Sequence, residues 1–141
     1  MDKKHLEVWD IDGVGYDHVV DYQSWAVAKL TYIDELEVDN LETMQKHNES
    51  DEVFVLLDGE FTLFLGGQGE HIGEIEAVKL EPLKVYNVKA GTYHTHVTEK
   101  NSKVLIVENR DTGDDNSPEE DLTKEQLDII KELYYKVNSD K

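Results

Sequence analysis

The 141-residue chain has no cysteine. That absence removes disulfides, thiolate nucleophiles, zinc ribbons and iron–sulfur clusters together, so any bound metal has to be held by nitrogen and oxygen. Basic residues are scarce as well: 14 Lys and Arg stand against 32 Asp and Glu, for a formal charge of −18 with neutral histidines. Nucleic-acid binding needs a basic surface to neutralise phosphates, and docking on anionic membranes needs the same, so neither is expected as a partner. No stretch approaches the roughly 18 apolar residues of a membrane span, and Met1 to Glu7 carry no apolar run. The expected compartment is the cytoplasm. The length suits one domain with a single core. Hydrophobic residues amount to only 38%, but 2 Trp, 7 Tyr and 3 Phe are more aromatics than a disordered acidic chain carries, which indicates a folded and very soluble protein.

What is present reads mainly as short strands. Ser24 to Ile33 is apolar and β-prone, and Glu52-Val53-Phe54-Val55-Leu56-Leu57, Asp58-Gly59 and Glu60-Phe61-Thr62-Leu63-Phe64-Leu65 read as two strands joined by a tight Asp-Gly hairpin turn. Further β-prone runs occupy Ile75 to Leu80, Leu83 to Val88, Tyr93 to Thr98 and Lys103 to Glu108. About ten short strands at this spacing predict an all-β sandwich or barrel. After Asn109 the composition turns acidic, and Asp111 to Asp121 reads as a solvated linker. Thr123-Lys124-Glu125-Gln126 then has the capping-box form that starts a helix, with Leu127, Ile130, Tyr134 and Val137 on one face. The expected organisation is a barrel over 1–110, an acidic linker over 111–122, and a helix over 123–138 packed on the barrel or on a partner subunit.

Chemistry points to the histidines. If Leu41 to His47 is a strand, side chains alternate and Gln45 and His47 share a face. Glu52 opens the next strand on the same side as Phe54 and Leu56, so it is expected to face the core. An isolated charge is costly there, and something cationic should lie beside it. Gly91-Thr92-Tyr93-His94-Thr95-His96 places His94 and His96 on a common strand face. Two histidines and one carboxylate with open positions form an arrangement that binds and activates small molecules on Zn, Fe, Ni, Mn or Cu. Histidines on strands also occur as surface residues or as hydrogen-bonded core members, and His96 reads as a hydrogen-bonded pocket wall in preference to a ligand. His71 is expected in a solvated loop. Trp9 and Trp25 are read as core or interface aromatics.

These stretches resemble the cupins. Gln45-Lys46-His47, four residues, Glu52, six residues and Gly59 are similar to the first cupin motif of His-x-His, turn, Glu and glycine. Lys89-Ala90-Gly91, two residues and His94 are similar to the second motif, Pro-x-Gly-x-x-His. The likeness spans roughly Leu41 to Asn109. It implies a double-stranded β-helix, the jelly-roll cupin barrel, with a C-terminal α-helix added here. It also implies a divalent transition metal (Zn, Ni, Mn or Fe) held by His47, Glu52 and His94, with Gln45 where the first histidine of the motif stands. Lys89 replaces the proline, and Thr98 replaces a final asparagine. An amide oxygen is a neutral, poorer donor than imidazole, which weakens the ligand set at Gln45.

Three functions follow from the resemblance. A metal-dependent enzyme acting on a small polar metabolite inside the barrel is placed first. The others are a non-catalytic small-molecule binding or sensor module, and a metal-free acid–base isomerase or epimerase using His94 with a tyrosine. A homodimer is expected, because exposed β-edges need covering.

Overall fold

A computed structural model of the protein describes residues 5–139. Among the described residues, ten antiparallel strands form two five-stranded sheets. The first sheet contains β1 (Tyr16–Tyr22), β2 (Trp25–Thr31), β9 (Lys103–Asn109), β4 (Glu52–Asp58) and β7 (Val85–Val88), in that spatial order. The second contains β10 (Glu119–Asp121), β3 (Thr43–Gln45), β8 (His94–Thr98), β5 (Phe61–Leu65) and β6 (Glu76–Lys79). Helix α1 (Lys124–Val137) follows β10. This is the expected jelly-roll architecture with one C-terminal helix. No helix among the described residues is long and apolar enough to cross a membrane.

The pleat explains which side chains face inward. Cross-strand partners share a face, so the pairings Phe54↔Ile106 and Leu56↔Val104 put four apolar side chains between the sheets. Leu63↔His96 and Leu65↔His94 line up opposite them on the second sheet. Phe54, Phe61 and Val104 are fully buried in this inner cluster. A second cluster lies on the outer face of the second sheet, where Met44, Phe64 and Val97 are covered by Ile130 of α1. The core is therefore two apolar layers with a sheet between them, where the sequence reading expects one.

Several expectations need correction. The Asp58-Gly59 turn exists, with Gly59 at φ +77°, but β4 and β5 do not pair: they belong to opposite sheets. The turn carries the chain across the sandwich because both strands have inner faces to fill, and Phe54 and Phe61 meet there with ring centroids 5.9 Å apart. Strand β3 is shorter than Leu41–His47, and His47 lies just past its end. The acidic 111–122 segment is more than a connector, since it holds a 3-10 turn (Asp114–Asn116) and β10, which pairs with β3. Trp9 and Trp25 are 57% and 43% exposed, so neither is a core residue of this chain.

Candidate metal centre

Two local devices bring the predicted ligands together. Gly91, at φ +81°, donates its N–H to the His47 carbonyl at 2.8 Å and so joins the turn before β4 to the turn before β8. Asp51 reinforces the same junction by accepting from Ala90 N, Asn87 Nδ2 and Lys89 Nζ at 2.8, 3.0 and 3.1 Å. The Ala90 backbone bond, then the Asn87 and Lys89 bonds, hold the Asp51 carboxyl down at about 2. Lys89, standing where the motif has proline, thus contributes an ammonium to the scaffold.

At that junction His47, Glu52 and His94 converge. All three are buried, and one donor atom from each lies within 4.8 Å of the others. His47 Nε2 and His94 Nε2 sit 3.0 and 2.9 Å from the same oxygen, Glu52 Oε1. Burial alone pushes the Glu52 carboxyl up, but the bonds to His47 and His94 outweigh it and the net shift is downward. Burial likewise opposes the charged form of His94, and the Glu52 bond and charge overcome it, so that pKa is raised. In metal-free protein the cation expected beside Glu52 is therefore supplied by His94.

The opposite edge of each ring is also held. His47 Nδ1 meets Ser117 Oγ at 2.7 Å. His94 Nδ1 lies 3.0 Å from the Thr92 carbonyl oxygen, which can only accept, so Nδ1 carries the proton. In neutral His94 the lone pair on Nε2 would then point at the Glu52 carboxylate. A cation has to stand between them, either a proton that makes His94 imidazolium or a metal ion. Donors at right angles around an ion, about 2.1 Å from it, are about 3.0 Å apart. The donor set and its spacing therefore fit a divalent ion, and the Nδ1–H to carbonyl bond is the kind that orients a metal-binding imidazole.

The remaining predicted residues fall around this cluster. Gln45 pairs with His94 across β3 and β8, lines the same cavity, and donates Nε2 to the Ser117 carbonyl at 3.2 Å. His96 is a wall of the cavity outside the converging trio: it stacks on Phe61 at 5.1 Å and 25°, its Nδ1 has no partner, and burial pushes it down to about 4. His71 is exposed and paired with Glu120 at 2.8 Å.

Three contributors escape the sequence reading. Glu108, at the inner end of β9, is 7% exposed and receives the Tyr16 hydroxyl at 2.6 Å. Burial, then the charge of Glu52, raises the Glu108 carboxyl, while burial and Glu108 raise the Tyr16 phenol. Alternation along Val104, Ile106 and Glu108 was a readable signal for the acid, of the same kind that marked Glu52. Tyr16 gave none, because β1 is largely exposed. Ser117 was hidden in the supposed linker.

No family model matches the chain, and no curated protein matches it in sequence. Solved structures do share its architecture. Streptomyces PAC13 with uridine aligns at a TM-score of 0.58 and 12% identity, over 78% of this chain and 79% of that chain. Another structure of the same protein, described as a unique nucleoside dehydratase, gives 0.57 and 11%, over 78% and 80%. A protein from Planctomyces limnophilus gives 0.50 and 12%, over 79% of this chain and 95% of that chain. At such identities the likeness is one of fold. Together with the sheet order it defines the chain as a small two-sheet jelly roll, and the His-Glu-His cluster lies inside it.

Proposed function

We propose that the protein is a metal-dependent cupin enzyme, with a small polar metabolite as substrate. His47, Glu52 and His94 hold one divalent transition ion, Zn, Ni, Mn or Fe, and Gln45 offers an amide oxygen as a fourth donor. The observation that supports this most is at His94, where the Thr92 carbonyl commits Nδ1 and leaves Nε2 facing Glu52 Oε1 at 2.9 Å. Such an ion supplies Lewis-acid polarisation of a substrate oxygen.

The chain's own groups do the rest. A cavity of about 320 Å³ adjoins the cluster, large enough for a metabolite and too small for a polymer segment. Leu30, Leu36 and Ile106 line part of it and limit water around the reacting groups. Glu108, beside Glu52 in the same cavity, is the group that can take a proton from substrate, and the Tyr16 hydroxyl orients it.

Metal analysis of protein purified without a polyhistidine tag tests the reading. About one transition ion per chain is expected in the wild type and none in His94→Ala. Absence of stoichiometric metal, with a melting temperature unmoved by Zn, Ni, Mn or Fe(II), contradicts it. A second reading, metal-free acid–base catalysis, draws on Tyr16 and Glu108 sharing the cavity with His94. It predicts turnover that survives a chelator.

A further inference from the structure

Helix α1 covers the outer face of the second sheet, while the outer face of the first sheet stays part-exposed. The register sets Val27, Val107 and Val53 in one row across β2, β9 and β4, and Leu105 and Val55 in the next. Ala28, Ile106 and Phe54, one residue along each strand, are buried between the sheets, so these five side chains point away from the core. All five are partly exposed, and Trp25, Leu57 and Val85 beside them are 40–72% exposed.

Charge limits what can cover this face. The chain has 32 Asp and Glu, yet none of these eight positions is acidic. Four carboxylates at the margin each stand beside a cation: Asp17 with Lys29 at 3.1 Å, Asp51 with Lys89 at 3.1 Å, Asp21 with Arg110 at 3.3 Å, and Asp58 with its register partner Lys103. The patch is therefore neutral on a chain of charge −18. A basic partner drawn by that charge would dock on the acids, whereas a second, equally acidic copy can approach only where carboxylates are absent or matched. A neutral apolar face is also compatible with itself, which a two-fold contact requires. The sheet edges are less open to pairing, because β1 carries Asp17 and Asp21 and β10 is Glu119-Glu120-Asp121.

The area is of the right order. Five strands at about 4.8 Å and about five residues at about 3.3 Å give a flat footprint of about 350 Å², and more as accessible surface. Two such faces come near the total of about 1,200 Å² at which specific interfaces begin, so the complex should dissociate on dilution.

We propose that two copies of the chain pack the outer faces of their first sheets together, with Val53 and Val107 in the contact and Trp25 at its border. The contact lies across the sheet from the cavity and depends on neither an ion nor a substrate.

Sedimentation equilibrium of the full chain, from about 1 to about 200 µM and in about 0.02 and 0.5 M salt, tests the proposal. The mass should rise from one chain to two with concentration. The dimer should tighten at high salt, which screens the repulsion between two acidic chains and leaves the apolar contact intact. Val107→Lys sets a charge into the contact and should weaken the dimer at least about tenfold. Val53→Thr with Val107→Thr keeps shape and β propensity and should weaken it at least about threefold, which decides the matter if the lysine variant does not fold. Both residues lie on inner strands of the sheet, so their effect reports on the face and not on an edge. Far-UV circular dichroism checks that each variant is folded. A single-chain mass at every concentration, a dimer that loosens as salt rises, or a dimer unchanged in the folded variants overturns the proposal.

Discussion

His94 ties the site together because its two ring nitrogens have different obligations. With Nδ1–H given to Thr92, Nε2 must share a cation with Glu52, and this has consequences for stability. The His94 pKa is raised above 6.5, so in metal-free protein its contribution is complete below pH 6.5 and is lost as pH rises through the raised value. Glu52 is shifted the other way from 4.5, so its contribution is complete above that value and fades in acid. The melting temperature of metal-free protein should accordingly fall on the alkaline side of neutrality, and saturating Zn should flatten that fall; a flat metal-free profile from pH 6 to 9 contradicts the assignment. Removing one partner leaves the others buried and unpaired, so Glu52→Ala should cost about 3–5 kcal/mol in urea unfolding at neutral pH. This much of the site was legible: an acid on the inner face of an apolar strand demands a cation, and the spacing of His47 and His94 indicated its source. Ser117 and Tyr16 were not legible, because a serine in an acidic stretch and a tyrosine on an exposed strand carry no periodic signal.

Gly59 and α1 show how elements impose limits that periodicity does not express. A Cβ at Gly59 would lie 2.3 Å from the Asn101 carbonyl oxygen, on a backbone at φ +77°. Gly59→Ala should therefore destabilise the fold by more than about 2 kcal/mol, the positive φ alone accounting for about 1–2; a loss below about 0.5 kcal/mol, the level of a neutral surface change, contradicts the close approach. In α1 the Thr123 hydroxyl accepts from Gln126 N and the Gln126 side chain accepts from Thr123 N, as the sequence pattern anticipated. Thr123→Ala should cost about 1 kcal/mol, and Ile130→Ala, at a fully buried position, about 2–5 kcal/mol by chemical denaturation. Strands with one buried face were readable from alternation alone. Strand β10 was not, since Glu119-Glu120-Asp121 is a run of three acids at a sheet edge, with Glu120 occupied by His71 and the Ile72 N–H. Nor does alternation reveal partners: β4 and β5 have the right turn and the right faces, and only the need to fill both sides of the sandwich sends them to different sheets.

Across the whole molecule, −18 charges on 141 residues favour solubility and oppose compaction. Screening should relieve part of that repulsion, so the melting temperature is expected to rise between about 0.01 and 0.15 M salt, where the Debye length falls from about 30 to 8 Å. The jelly roll concentrates a pair of imidazoles and a carboxylate inside this acidic shell, and the account stands on their holding one ion. Anomalous scattering from crystals grown with Zn or Ni, collected on both sides of the metal edge, tests that directly. The account predicts one strong peak per chain, about 2.0–2.3 Å from His47 Nε2, His94 Nε2 and a Glu52 oxygen. Full-occupancy metal elsewhere on the chain, or no peak at this junction with the ion in excess, would contradict it.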